Sequence, residues 1–150
     1  MTIEIDFDKL FDACCKHLKT SKDSININLH FVDKDEISDL NSTHRGKAEP
    51  TDVLSFPLLD LKSDKVPTVD TFPNDINPET GKLELGDIVI CKEMAGLNLS
   101  DKTHSTLNDK IAFLYVHGVL HLFGYAHATK RDFKTMMSHT QTILNDYNKG

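Results

Sequence analysis

The chain has 150 residues, close to the commonest size of one domain and long enough to enclose a hydrophobic core. Its composition, with 39% hydrophobic and 27% charged residues, is typical of a globular protein, and no apolar run approaches the ~20 residues that a membrane span needs. The formal net charge of −6 argues against broad electrostatic attraction to nucleic acid, so a nucleic-acid role would depend on a local basic patch. We therefore expect one domain over residues 1–150 and no integral membrane protein.

The N-terminal segment and the cysteines indicate a cytoplasmic protein. The first residues, MTIEIDFDKLFDACC, are acidic and amphipathic and lack the basic and long apolar regions of a secretory signal. Cys14, Cys15 and Cys91 form an odd count without a C-x-x-C pair. We expect buried, reduced thiols rather than a disulfide framework or a cysteine zinc site.

The first third of the chain predicts a helix, a strand and a second helix. Apolar residues recur at helical spacing over residues 7–18. Apolar and polar residues then alternate over 25–31, which is typical of a half-buried strand. Asp33 with Glu36 three residues later forms a capping box, and the helix that it starts should end near Gly46.

The rest of the chain predicts two strands, a long loop and two helices. DVLSF at 52–56 and LGDIVIC at 85–91 have the residue types of strands. Residues 57–84 between them hold four of the five prolines and predict a long surface loop, either functional or disordered. A helix is predicted over 111–123. A last amphipathic helix is predicted from the apolar positions Phe133, Met136, Met137, Thr140, Leu144 and Tyr147, with Met136 and Met137 in the core.

The stretch HGVLHLFGYAH carries the chemistry. His117 and His121 share one face of an otherwise apolar helix, and burying an unpartnered polar group costs ~1 to 3 kcal/mol, so both imidazoles need partners. Gly124 can adopt the left-handed conformation that ends a helix, and the turn would bring His127 to the same point. Three imidazoles would hold one Zn²⁺ per chain with a fourth position open to water, as in catalytic zinc sites.

Two other interpretations of the histidines remain open at this point. A structural zinc site would need a fourth ligand, for which Cys91 is the obvious candidate. The histidine spacing also matches the metzincin peptidases, but their general-base glutamate follows the first histidine, where this chain has Gly118. A zinc site without that base suits a phosphodiester if a cation stabilises the negative charge on the reacting oxygens.

Taken in order, LNSTHRGK, TDVLSFP, LGDIVI and HGVLHLFGYAH resemble the YbeY endoribonucleases over most of the chain. The resemblance implies an α+β fold with a mixed β-sheet packed with helices and a metzincin-like zinc-binding helix. It implies that His117, His121 and His127 bind the metal. It also assigns the functionally important arginine of the family to Arg45, whose planar guanidinium would hold the scissile phosphate beside the zinc.

The resemblance further implies a zinc-dependent, single-strand-specific endoribonuclease of small-subunit ribosomal RNA 3′-end maturation and ribosome quality control. The implied partners are ribosomal RNA and the small ribosomal subunit, with ribosomal proteins or assisting nucleases and no membrane. The chain departs from the family at Ala126, where an aspartate is usual, and at Lys110, where a glutamate is usual. A non-catalytic zinc-containing ribosome assembly factor and a metzincin-like metallopeptidase are the alternatives.

Overall fold

The computed structural model describes residues 3–63, 65–68, 70–97, 99, 106–126 and 128–149. In chain order they form α1 (Phe7–His17), β1 (Ile25–Phe31), α2 (Lys34–Arg45), β2 (Val53–Pro57), β3 (Leu83–Ile90), α3 (Lys92–Leu97), α4 (Leu107–Leu122) and α5 (Lys130–Lys149). Within these ranges no helix is both long enough and apolar enough to cross a membrane.

The three strands form one mixed sheet. β3 lies in the centre, with β1 parallel to it on one side and β2 antiparallel to it on the other. A parallel pair needs a crossover between its strands, and here α2, β2 and the long loop supply that connection. The α+β class with a mixed sheet packed with helices is therefore confirmed.

A β-bulge in β3 was not predicted. The register with β1 shifts between Asn26 and Ile27, where Leu85 is an extra residue of β3. Gly86 follows with φ +145°, and a Cβ atom there would overlap with the carbonyl oxygen of Phe56. The glycine thus allows the bulge and the close approach of β2.

Both faces of β3 are buried. Ile88 and Ile90 point into the main core, where Leu10 of α1, Val119 of α4 and Met136 of α5 meet the sheet. The alternating residues Val89 and Cys91 point to the other face and form a smaller apolar cluster, together with Ile37 of α2 and Leu54 of β2. Because α4 packs on the main-core face, the sheet supports the predicted histidine helix.

The helix boundaries follow local capping. The side chain of Asp33 accepts a hydrogen bond from the backbone N–H of Glu36, and Gly46 ends α2 in the left-handed conformation, as predicted. α4 begins four residues before the predicted start, because Thr106 caps it through the N–H of Asp109. α3 was not predicted, because with only 6 residues it is too short to show a helical period.

The long loop and α5 differ in part from the predictions. The described residues between Pro57 and Leu83 form no helix or strand, yet Leu59 is buried in the main core, so the segment is not only a surface loop. In α5, Met136 is buried as predicted, whereas Phe133 is 50% exposed and does not belong to the core face. The buried residues of α5 are Met136, Thr140 and Ile143, and Phe133 lies outside this buried face.

Candidate active site

A cleft of about 770 Å³ lies where α4 meets β2 and α5. It brings together residues from the end of α2, from the segment around β2, from α4 and from α5. The lining residues are Arg45, Thr51, Asp52, Val53, Leu54, Ser55, Pro57, Lys110, Phe113, Leu114, His117, His121, Phe133 and Met137. Arg45, His117 and His121, all predicted site residues, therefore share one cleft.

α4 presents its two histidines on the same face because they are four residues apart. The ring centroids of His117 and His121 lie 4.7 Å apart, with the ring planes at 85°. The ring of Phe113, one turn earlier, stacks on His117 with centroids 5.7 Å apart and planes at 20°. Both histidines are half-buried and line the cleft. α4 therefore buries one face in the core and presents two imidazoles to the cleft.

The turn after α4 determines which nitrogen of His121 carries its proton. Nδ1 of His121 donates a hydrogen bond of 2.9 Å to the backbone carbonyl oxygen of Tyr125. A carbonyl oxygen only accepts, so the neutral ring has its proton on Nδ1 and its lone pair on Nε2. This is the arrangement in which metal-binding histidines are commonly oriented by a backbone carbonyl. Gly124 makes the turn with φ +96°, as predicted.

The third predicted ligand, His127, lies outside the described residues. Among the residues that are described, no group of three or more His, Cys, Asp or Glu side chains is placed to hold a metal ion. The structure therefore brings together two of the three predicted ligands. Their donor set, two imidazoles four residues apart with one ring oriented by a carbonyl, fits a transition metal such as zinc.

The alternative ligand Cys91 and the metzincin comparison can be placed in the fold. Cys91 is fully buried in the smaller apolar cluster, next to Ile37 and away from the main-core face on which α4 lies. Gly118 faces the sheet, where a Cβ atom would lie 3.0 Å from the side chain of Ile88. The position of the metzincin glutamate thus has no room for a long side chain.

The thiols of the chain are free and buried, as predicted. Burial is the largest influence on Cys14 and Cys15, and it raises the pKa of each thiol; that of Cys15 rises to about 12. Thiols with raised pKa values are poor nucleophiles near neutral pH. Neither cysteine is therefore equipped for covalent catalysis.

Arg45 is the last residue of α2 and is exposed at the cleft. Its position is fixed by Gly46, which ends the helix in the left-handed conformation with φ +71°. The neighbouring His44 packs its ring on Phe56 of β2, with centroids 4.5 Å apart, and so holds the end of α2 against the sheet. These contacts hold the backbone of Arg45 at the border of the cleft.

Lys110 lies in the cleft wall and is only 7% exposed. Its ammonium nitrogen lies 3.8 Å from Oδ2 of Asp52 and 5.7 Å from the ring centroid of Phe113. A buried ammonium requires a compensating charge, and Asp52 supplies it. Lys110 therefore has an acidic partner in the cleft wall. Ala126, the other position at which the resemblance implies an acidic residue, is exposed.

Several residues that line the cleft were not predicted as site residues, among them Asp52, Phe133 and Met137. Asp52 was assigned to a strand and to the TDVLSFP motif, and Phe133 and Met137 were assigned to the apolar face of the last helix. The four-residue spacing of Phe133 and Met137 put them on one helix face, but nothing in the sequence distinguished a cleft face from a core face. Only the packing of α5 against α4 turns this pair toward the histidines.

Comparisons with known proteins identify a family and several relatives. The family model described as Endoribonuclease YbeY matches residues 1–148. The proteins named Endoribonuclease YbeY from Staphylococcus aureus strains JH9 and Newman are each 40% identical over 126 residues, which is 84% of this chain and 75% of theirs.

A solved structure shares the fold. The solution structure of a protein from Thermotoga maritima matches with a TM-score of 0.55 and 24% identity, covering 95% of this chain and 84% of that one. An identity of 24% supports a shared fold only. The family model, by contrast, matches residues 1–148 of the sequence. The chain belongs to the YbeY endoribonuclease family.

Proposed function

We propose that this chain is a zinc-dependent, single-strand-specific endoribonuclease, with one catalytic domain over residues 1–150. Its substrate is the 3′ end of small-subunit ribosomal RNA, and it acts in the cytoplasm in ribosome maturation and quality control. Family membership and the names of the Staphylococcus aureus relatives support the nuclease activity. The observation that carries the proposal is the cleft shared by Arg45, His117 and His121, which come from separate parts of the chain.

His117, His121 and His127 would hold the zinc ion. When bound, zinc supplies a Lewis acid for phosphodiester hydrolysis. The bond from Nδ1 of His121 to the carbonyl oxygen of Tyr125 orients that ring and keeps its proton away from Nε2. The fixed orientation lowers the cost of ordering the ligands, which supports His121 as a ligand.

Arg45 binds and orients the scissile phosphate. A guanidinium can donate to two phosphate oxygens at once, and it neutralises the negative charge that grows on them in the transition state. The exposure of Arg45 at the border of the cleft leaves it accessible to an entering strand. Lys110 adds a second positive charge, partly offset by Asp52, so the cleft is more cationic than the acidic chain as a whole.

The test combines metal analysis with cleavage of a single-stranded ribosomal RNA fragment. His121→Ala is expected to remove both zinc and cleavage. Arg45→Glu is expected to retain zinc and lose cleavage, because the change reverses the charge that meets the phosphate. His30→Ala serves as a matched histidine control, since His30 lies on β1 and bonds to Asp87 outside the cleft.

Three outcomes would contradict this function. Full cleavage by metal-free His121→Ala protein would exclude a zinc-dependent mechanism. Zinc binding without RNA cleavage in the wild type would favour the ribosome assembly factor. Cleavage of an unstructured protein, abolished by His121→Ala, would favour the metallopeptidase.

A further inference from the structure

Phe133 is a half-exposed aromatic side chain at a functional cleft. It lies on α5, one turn before Met137, and both residues line the cleft. Phe133 is 50% exposed, although burying a phenylalanine side chain stabilises a protein by roughly 1.5 to 3 kcal/mol. The core face of the same helix is made by Met136, Thr140 and Ile143, so α5 leaves this ring at the cleft while it buries its neighbours.

The surroundings of Phe133 combine apolar and cationic groups. Met137 and Phe113 provide further apolar lining in the same cleft, and Arg45 and Lys110 provide positive charge. A ligand that satisfies both must carry a flat apolar surface and a nearby anion. A nucleotide has both features, because its base offers a π face and its phosphate is anionic.

The base must be unpaired to use such a surface. In a duplex each base face is covered by its neighbours in the stack, whereas a single strand can turn a base outward onto an aromatic side chain. This stacking tolerates all four bases, because each of them has a π face. A half-exposed phenylalanine therefore selects unpaired nucleotides without reading a sequence.

We propose that Phe133 stacks against one unpaired RNA base next to the phosphate held by Arg45, and that this contact makes the cleft specific for single strands. The proposal rests on the proposed nuclease function and adds to it the residue that discriminates unpaired from paired RNA. Phe133 contacts the base and not the reacting phosphate, so it determines specificity and takes no part in the chemical step.

The chain contains no tryptophan, so Phe133→Trp introduces a single tryptophan whose fluorescence can be excited apart from that of the tyrosines. The zinc-loaded variant is titrated with a short single-stranded oligoribonucleotide, with the same sequence as a duplex, and with a strand of abasic riboses, all with phosphorothioate linkages that slow hydrolysis. Gel analysis verifies that the strands stay intact during the titration. Leu97→Trp on α3 is the matched control, because Leu97 is 68% exposed and does not line the cleft.

Stacking predicts that the single strand quenches the fluorescence of Phe133→Trp, and that the duplex, the abasic strand and the Leu97→Trp control show little quenching. Equal quenching by the abasic strand or the duplex would overturn the proposal. Quenching by an unstructured peptide but not by RNA would overturn it too, in favour of a peptide-binding cleft.

Binding measurements with other variants test the same contact without a reporter. Phe133→Ala and Phe133→Leu are each expected to weaken single-strand binding by about tenfold. The slope of log affinity against log salt should stay unchanged, because the phosphate contacts remain. Phe133→Leu keeps an apolar side chain but no ring, so equal loss in both variants, with unchanged melting temperature, assigns the effect to the ring.

The failure of this inference can be distinguished from failure of the proposed function. If the wild type cleaves single strands and Phe133→Ala binds and cleaves them equally well, only the stacking contact is wrong. If the wild type neither binds nor cleaves RNA, the nuclease function is wrong and the stacking contact fails with it.

Discussion

The residues that the structure describes include two close pairs of histidines, and the pairs differ in the hydrogen bonds that their ring nitrogens make. His117 and His121 lie one turn apart on α4, and Nδ1 of His121 donates to a backbone carbonyl oxygen. His17 of α1 and His139 of α5 bond to each other, with Nε2 and Nδ1 2.7 Å apart. The first arrangement leaves the lone pair of His121 on Nε2, whereas the second uses one nitrogen of each ring inside the pair. Proximity of imidazoles alone therefore does not indicate a metal site.

One residue connects the two pairs. The backbone oxygen of Tyr125 accepts the bond from His121, and the ring of Tyr125 contacts that of His139 with centroids 5.0 Å apart. The turn made by Gly124 positions this tyrosine. Substitutions in either histidine pair or at the turn therefore test whether the two pairs affect metal binding and stability independently.

The largest expected difference is in metal content. His117→Ala should lose bound zinc and reduce cleavage by more than about 100-fold, since loss of residues that merely support a ligand already costs 10- to 100-fold. His139→Ala should keep one zinc per chain. Mass spectrometry of the purified variants measures this difference, and equal zinc loss in both would contradict the assignment of roles to the two pairs.

Gly124→Ala tests the shared turn. Gly124 has φ +96°, and a Cβ atom there would overlap with the carbonyl oxygen of Leu61 in the long loop. We expect a loss of about 3 kcal/mol in the free energy of unfolding, from the left-handed backbone and the forced movement of the loop. Urea denaturation measures it.

Gly96→Ala in α3 is the control for that substitution, because nothing lies within 4 Å of its added Cβ. It should be neutral or stabilising, by up to about 1 kcal/mol. Equal effects of the two substitutions would show that the loop does not constrain the turn.

Lys110→Glu changes a charge in the cleft of His117 and His121 but not beside His17 and His139. It would place a second carboxylate near Asp52, where Lys110 now lies 3.8 Å away with its side chain 9% exposed. We expect a loss of about 2 kcal/mol in the free energy of unfolding, because the remaining charge loses its partner in a partly buried site.

Lys16→Glu is the matched control for the buried ion pair, since Lys16 pairs with Asp12 at 3.1 Å but is 77% exposed. Exposed pairs contribute less than about 1 kcal/mol, so its effect should be smaller. If both variants unfold at the same urea concentration, the Lys110 pair does not support the cleft. A stable Lys110→Glu protein would also show that this position tolerates the glutamate that the resemblance implies.

The smallest expected effect is the pH dependence of the second pair. Burial, and then the charge of His17, lower the pKa of His139. His139 therefore binds a proton more readily in the unfolded chain than in the folded one. The folded state has its full stability above the ordinary histidine pKa of about 6.5 and loses part of it as the pH falls below that value. We expect less than about 1 kcal/mol between pH 7.5 and 5.5, because His139 is partly exposed.

Urea denaturation of the wild type and of His139→Gln at both pH values isolates this contribution, since the other titrating groups are common to both proteins. The variant should lose less stability on acidification than the wild type. An equal loss in the two proteins would show that the His17 and His139 pair does not titrate with folding.

Local sequence patterns predicted the parts of the fold that depend on neighbouring residues. The ends of α2 follow from Asp33 and Gly46, because both act through backbone groups within a few residues. The left-handed turn at Gly124 and the alternation in β1 are of the same kind. By contrast, the bulge at Leu85 depends on the register with β1, and α3 is too short to leave a pattern.

Local residue spacing was enough to predict that two histidines share a helix face and that a glycine turn follows them, because a spacing of four residues and a residue without a Cβ atom have local consequences. The sequence also carried the family resemblance through its motifs. That Arg45, Lys110 and Phe133 border the same cleft could be seen only in the folded protein, because it depends on long-range packing around α4. Contacts between distant segments follow from burying a shared core, and no short stretch of sequence encodes that arrangement alone.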